Sequence, residues 1–196
     1  MGRPIRRSHP HSAGLPVIFT PTPLAGAWLV APEPRSDERG FFGRIWCARE
    51  FEAHGLDTRI AQVSVCYTAR RGTLRGMHYQ AAPHEEVKLV SCIRGSIYDA
   101  IIDLRPESPS YCQHFAVELN DRNRLALYVP KGFAHGCQAL ADDTEVCYQI
   151  SEFYSPPDAR GVRWNDPAFG IEWPIVPPII LARDNRYPDV AKAGVA

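Results

Sequence analysis

From residue 60 to residue 151 the chain alternates short apolar runs with turn-forming residues. Six runs stand out, 60–67, 86–93, 96–104, 114–119, 124–129 and 144–151, and their Val, Ile, Tyr and Phe content predicts strands. Arg94 and Gly95 read as a hairpin turn, and residues 120–123 as another, which predicts that neighbouring strands pair antiparallel. Helical spacing ending in a glycine occurs in residues 47–55, CAREFEAHG, and predicts one short surface helix. Prolines frame this region: of eighteen, seven lie at or before Pro34, seven at or after Pro156 and four between. The middle of the chain is therefore the regular core. Many short strands and few helices predict an all-β sandwich or barrel, specifically a jelly roll with a few short helices.

At 196 residues the chain suits one domain rather than two. An apolar fraction of 45% and a charged fraction of 22% exclude a disordered or collagen-like chain. Twenty-two basic residues balance twenty-two acidic ones, so no global field draws the protein to nucleic acid or to an anionic membrane. Neither is an expected partner, and an anionic ligand must be met by locally placed arginines and lysines. The six cysteines lack CxxC spacing, and Cys66, Cys92, Cys112, Cys137 and Cys147 lie in or beside strand runs, which favours free thiols over a disulfide framework. Apolar stretches such as 174–182 are broken by prolines and fall short of the roughly 20 residues of a membrane span. Arg6 and Arg7 precede an apolar stretch, but Pro16, Pro21 and Pro23 interrupt any signal-peptide core. The expectation is a soluble, cytoplasmic protein with a flexible leader over 1–22 and one domain over 23–196 that ends in a proline-rich segment.

Four places carry candidate chemistry. Residues 71–80, RGTLRGMHYQ, set Gly72 and Gly76 around Arg75 and His78, so that backbone and side chains can approach a ligand closely. The alternative is that the glycines are bulges and His78 a hydrogen-bonded core residue. In the run 86–93, alternation puts Lys88 on one face with Val90 and Cys92, while Val87, Leu89, Ser91 and Ile93 share the other. A lysine left unpartnered there would cost on the order of several kcal/mol, which points to a functional or paired charge unless the side chain snorkels to water. Residues 127–136, LYVPKGFAHG, hold Pro130, Gly132 and His135 in PxGxxH order, a turn that delivers a histidine onto the next strand. Tyr148 shares a face with Val146 and Ile150, so its hydroxyl needs a partner inside the fold.

The PxGxxH segment resembles the second motif of the cupin superfamily of small β-barrels. Many metal-binding cupins add an HxH pair and a glutamate, but the corresponding segment here is His78-Tyr79-Gln80, and Lys88 follows the candidate carboxylates Glu85 and Glu86. A cation there would repel a bound metal, so the site is expected to be metal-free. Taken together, the chain from about Pro23 to Pro188 resembles the dTDP-4-dehydrorhamnose 3,5-epimerase family. The segments that carry the resemblance are DERGFF (37–42), GTLRGMHYQ (72–80), EVKLVSCIRGSIYDAIIDLRPESPS (86–110), LYVPKGFAHG (127–136), EVCYQISEFYSP (145–156), RWNDP (163–167) and IEWP (171–174).

That resemblance implies a cofactor-independent isomerase in deoxysugar and polysaccharide biosynthesis, acting on a nucleotide-diphospho-sugar. His78 would be the general base and Asp184 the carboxylate that orients and charges it, Tyr148 the acid on the opposite face, and Lys88 the cation near the enolate oxygen. Arg75 and His135 would hold the substrate, and Gln62, Arg39, Phe42 and Arg44 fall at further substrate-contact positions. Arg39 and Phe42 match an amino-terminal strand exchanged between subunits, which implies a homodimer. The residue chemistry agrees: inverting a carbon beside a ketone needs a base, a differently placed acid and a positive group where enolate charge develops. A carboxylate fixes the tautomer of its histidine, and arginine's planar fork suits diphosphate.

Departures fall at positions associated with substrate contact. Arg44 and Ala159 stand where glutamates are common, Ser64 and Cys66 where Asn and Ser are, and one extra residue precedes the GTLRG turn. A specificity different from that of the rhamnose-pathway enzymes is therefore expected, such as inversion of a single carbon. Two rival readings remain at this point: a metal-dependent cupin enzyme using His78, Glu85 or Glu86, and His135, or a non-catalytic sugar-nucleotide binding protein.

Overall fold

The computed structural model describes residues 15–190. In chain order its strands are β1 (Val17–Pro21), β2 (Trp28–Pro32), β3 (Arg35–Asp37), β4 (Gly40–Phe42), β5 (Gln62–Thr68), β6 (Thr73–Gln80), β7 (Lys88–Arg94), β8 (Ser96–Asp103), β9 (His114–Asn120), β10 (Ala126–Val129), β11 (Phe133–Ala139), β12 (Thr144–Ile150), β13 (Ala159–Gly161) and β14 (Ile179–Ile180). Helix α1 (Ala48–Ala53) lies between β4 and β5. One sheet has the spatial order β1-β2-β10-β7-β12-β5; the other has β13-β6-β11-β8-β9, with β14 added parallel to β6. Strands β3 and β4 form a separate two-stranded ribbon. This is the jelly roll that the run pattern predicts.

Alternation along the strands builds three apolar layers. Val90 and Cys92 of β7, Ile97 and Ile101 of β8, Leu127 of β10 and Val146 of β12 meet in the core between the sheets, each no more than 4% exposed. Removing such side chains from water stabilises the fold by roughly 1.5–3 kcal/mol apiece for Val, Leu and Ile. Val87 and Leu89 lie on the outer face of the first sheet, where Phe51 of α1 covers them. The helix is the one expected in 47–55, and Gly55, at φ +70°, follows its end. Leu74, Ala100, Ile102 and Ala134 lie on the outer face of the second sheet beneath Val162, Trp164, Phe169 and Trp173 of the carboxy-terminal segment. Gln138 on β11 fastens that segment, exchanging hydrogen bonds with the backbone of Ile175 at 2.8 and 3.0 Å.

Two sequence expectations are corrected. The turns at Arg94-Gly95 and at 120–123 are not hairpins: each carries the chain from one sheet to the other, β7 to β8 and β9 to β10. The inner residues of β7 and β8 face each other across the core, so these strands cannot also be lateral neighbours. Strand β7 pairs instead with β10 and β12, and β8 with β9 and β11. The second correction concerns the leader over 1–22, of which Val17–Pro21 is strand β1, paired with β2 along its whole length. Prolines near its ends are tolerated because β1 is an edge strand. Residues 1–14 of the expected leader lie outside the described residues. All six cysteines are free thiols, and among the described residues no helix is long and apolar enough to cross a membrane.

Candidate active site

A cavity of about 350 Å³ opens between the sheets at one end of the barrel. Strict alternation along β6 would send Arg75 and His78 to opposite faces, since they are three residues apart. The pairing of β6 with β11 instead slips by one residue, from Cys137↔Arg75 to His135↔His78. An extra residue in β6 thus turns both side chains into the cavity, which is how a bulge re-aims a side chain. The slip depends on glycine. Gly76 sits at φ +133°, and a Cβ added to it would lie 2.5 Å from the Cα of Gly136 on β11. Both sequence readings of the 71–80 segment hold together here: the glycine is a bulge, and the bulge builds the site.

His78 is fixed from the carboxy-terminal segment. Its Nε2 lies 2.9 Å from Oδ1 of Asp184, a residue only 2% exposed. The backbone N–H of Gly76 donates to the other carboxylate oxygen at 3.4 Å. A carboxylate that stays ionised accepts only, so Nε2 carries the proton and Nδ1 is left with a lone pair. Burial would raise the Asp184 carboxyl, but contacts with His78, Arg183 and Gly76 hold it below its ordinary value. For His78 burial wins: it pushes the imidazole below the ordinary value near 6.5, the cations of Lys88 and Arg183 add to the lowering, and the Asp184 bond offsets only part. Asp184 therefore orients this ring, while the surroundings keep it neutral at pH 7.

The first sheet supplies the opposite wall. Lys88 on β7 is buried and paired, its Nζ 2.8 Å from Oε1 of Glu86. It also donates to the carbonyl of His78 at 3.5 Å. This answers the sequence question about an apolar-strand lysine: its charge has a partner. Tyr148 on β12 lines the cavity beside Ile150 and stands edge-on to the His135 ring at 5.9 Å. Burial, with the Asp99 charge adding to it, holds its hydroxyl well above the ordinary phenol value, so it stays protonated. His135 on β11 is buried with Nε2 2.8 Å from Oδ1 of Asp99. Arg75 reaches Oγ1 of Thr68 and the carbonyl of Tyr67 at 3.4 and 3.3 Å, and Gln62 on β5 accepts from the Tyr154 N–H at 3.0 Å.

Of the expected site residues, His78, Tyr148, Asp184, Lys88, Gln62, Arg75 and His135 all line this one cavity. Arg39, Phe42 and Arg44 do not. Arg39 and Phe42 project on the β3–β4 ribbon, where Arg39 pairs with Asp37 and Phe42 is 72% exposed. Arg44 pairs with Glu50 at 3.1 Å. The sequence reading passed over Arg160, Arg183 and Tyr187, which also line the cavity. Arg183 donates from Nε to Oδ1 of Asp184 at 3.0 Å, so imidazole and guanidinium share one carboxylate oxygen. Its place beside Asp184 was the available signal; nothing in the sequence marks Tyr187. Four cationic side chains, Arg75, Lys88, Arg160 and Arg183, face two carboxylates, Glu86 and Asp184, an excess that suits an anionic ligand. Of the carboxylates that the metal-dependent reading would use, Glu86 is paired with Lys88 and Glu85 does not line the cavity. Among the described residues no three His, Cys, Asp or Glu side chains are grouped to hold a metal ion.

Comparison with known proteins bears on this cavity. Residues 21–192 match the family model described as dTDP-4-dehydrorhamnose 3,5-epimerase. Over 177 residues the chain is 41% identical to the dTDP-4-dehydrorhamnose 3,5-epimerase of Mycolicibacterium smegmatis, covering 88% of this chain and 86% of that relative. The Bacillus anthracis dTDP-4-dehydrorhamnose 3,5-epimerase, solved with TDP and PPi bound, is similar at a TM-score of 0.85 and 38% identity, covering 88% of this chain and 99% of that one. A 3'-monoepimerase from Streptomyces bikiniensis in complex with dTDP-quinovose gives a TM-score of 0.81 at 33% identity, covering 88% of each chain.

The electrostatics set a direct expectation. In a proton NMR titration the His78 ring should change charge below the ordinary value of 6.5, because burial and two cations disfavour its protonated form. Arg183→Gln removes one of those cations and frees the shared carboxylate oxygen, and both changes move the midpoint upward. An unmoved or lowered midpoint in that variant would contradict the assignment.

Proposed function

The chain belongs to the dTDP-4-dehydrorhamnose 3,5-epimerase family and is an isomerase, and on that footing we propose that it inverts both C3 and C5 of a dTDP-linked 4-keto-6-deoxy sugar, as its relatives are named for doing and not the single carbon that its departures at substrate-contact positions suggest, with His78 as base and Tyr148 as acid. One observation carries this reading: a neutral, carboxylate-held imidazole from one sheet and a protonated phenol from the other line the same cavity. The carbons flanking a C4 ketone have acidic protons. His78 takes one through Nδ1, the electron pair moves into an enolate, and Lys88 beside His78 stabilises the negative oxygen. Tyr148 then delivers a proton to the other face, and the ketone re-forms. Arg75, His135, Gln62 and the cations at the mouth hold the nucleotide diphosphate and sugar. No step calls on a cofactor, and the six free thiols suit a reducing, cytoplasmic setting.

The site is completed, on this reading, by a second copy of the chain. The β3–β4 ribbon is exposed on both strands, and Val63 and Val65 are 62% and 60% exposed on the outer face of edge strand β5. A homodimer that exchanges the ribbon covers such apolar surface and brings Arg39, Phe42 and the neighbouring Arg44 to the partner's cavity.

Solvent deuterium should enter the substrate dTDP-4-keto-6-deoxyglucose at C3 and C5, read by mass spectrometry. His78→Asn should abolish exchange with binding largely kept, and Tyr148→Phe should cut inversion by about 10²-fold while exchange persists. Activity against pH should fall on the acid side as His78 protonates, with a midpoint under 6.5. Absence of exchange at both carbons in the unaltered protein would refute the reading.

Exchange of the ribbon makes a separate expectation. Purified His78→Asn and Phe42→Ala chains, each impaired alone, should regain activity when mixed and allowed to re-pair, because one site of each mixed dimer is intact. No gain on mixing, or a monomer by sedimentation, would overturn the shared site.

A further inference from the structure

The Tyr148 hydroxyl is buried and faces a cavity, yet among the described residues a single group lies within hydrogen-bonding distance of it. That group is the Cys137 thiol, with Sγ 3.7 Å from the phenol oxygen. Cys137 follows His135 by two positions on β11, so both side chains point inward, and the imidazole, perpendicular to the phenol ring at 5.9 Å, and the thiol both contact Tyr148. The thiol itself is 5% exposed and does not line the cavity, so it cannot reach a ligand. Asp99 is the residue paired directly opposite Cys137 on β8. Its Oδ1 is engaged by His135, and its buried Oδ2 has no hydrogen-bond partner.

We propose that Cys137 is a positioning residue for the acid of the reaction: its thiol sets the direction of the Tyr148 hydroxyl and donates a hydrogen bond to the phenolate oxygen that remains after the proton has left. The inference rests on the reading of Tyr148 as acid given above. In that step the phenol O–H bond breaks and its electron pair stays on oxygen. The enolate's carbon–carbon pair becomes the new C–H bond on the face opposite His78, and the ketone re-forms. The oxygen left behind carries a full charge in a buried setting, where a hydrogen bond to it matters most.

A thiol can fill this role only while it keeps its hydrogen. Burial, with the Asp99 charge adding to it, pushes the Cys137 thiol up to about 12. At any working pH it is therefore a neutral S–H, available as a donor to the phenolate. In the resting protein the same contact restrains the phenol, whose ring already packs against His135. Because the thiol acts only on Tyr148, removing it should disturb proton delivery and leave proton removal by His78 alone. An ordinary packing residue would disturb both.

The test uses the ratio of deuterium exchange to inversion in single turnovers of dTDP-4-keto-6-deoxyglucose, measured for Cys137→Ala, Cys137→Ser, Tyr148→Phe and the Cys137→Ala/Tyr148→Phe double variant. Cys137→Ala should keep its exchange rate and raise the ratio by about tenfold, the scale of one lost hydrogen bond to a charged group. Cys137→Ser, which retains a donor, should bring the ratio back to within about twofold of the unaltered protein. In the Tyr148→Phe background Cys137→Ala should add nothing. An unaltered ratio in Cys137→Ala, a parallel loss of exchange and inversion, or a further loss in the double variant would each overturn the inference. If Tyr148→Phe abolishes inversion while Cys137→Ala behaves as the unaltered protein, the thiol's role falls and the acid's stands. If Tyr148→Phe inverts normally, the acid assignment falls and the thiol's role with it.

Discussion

One extra residue in β6 decides what this barrel can do. Without the slip at Gly76, Arg75 and His78 would face opposite sides of the sheet, and the cavity would lose one of them. The slip is possible only because two glycine backbones meet, Gly76 against Gly136, at a separation no Cβ could share. The same Gly76 N–H reaches the Asp184 carboxylate, so the bulge that aims the imidazole also helps seat its partner. Sequence, strand pairing and chemistry are coupled at this one point.

The electrostatics around it follow from dryness more than from pairing. A carboxylate 2.9 Å from an imidazole ordinarily favours the protonated ring, yet burial and the cations of Lys88 and Arg183 leave His78 below its usual value. Asp184 thus contributes direction, holding Nε2 and leaving Nδ1 free. The same dryness keeps Tyr148 protonated. One environment therefore prepares a base on one sheet and an acid on the other, because it disfavours charge on both. Lys88 keeps its charge within reach of the site through Glu86. It is a cation already in place where negative charge would develop, with no reorganisation of solvent required.

Much of this was legible in the sequence, and the failures have physical reasons. Strands β7, β8, β9, β10 and β12 follow from their β-branched and aromatic runs to within two residues or so at their ends. The inward aim of Lys88 and Tyr148 follows from alternation. Alternation could not aim Arg75 and His78 together, since it assumes no bulge. Strands β1 and β2 were hidden by prolines, which an edge strand and strand ends accommodate. The turn at Gly95 looks alike whether it joins neighbours in a sheet or crosses between sheets, because the positive φ of 78° is local and the sheet assignment is not. Asp184 came from resemblance alone: it reaches His78 across 106 positions, a distance no local pattern spans. Cys137 was noted as a free thiol, but its contact with Tyr148 depends on which strands of opposing sheets meet.

All of this chemistry requires a sugar ring held between an imidazole and a phenol with its C4 oxygen at an ammonium group. A crystal structure of the protein with dTDP-quinovose tests it most directly. His78 Nδ1 and Tyr148 Oη should lie on opposite faces of the ring, each within about 3.5 Å of C3 or C5, with Lys88 Nζ at O4. A ring lying outside the cavity, or both side chains on one face of it, would rule this arrangement out.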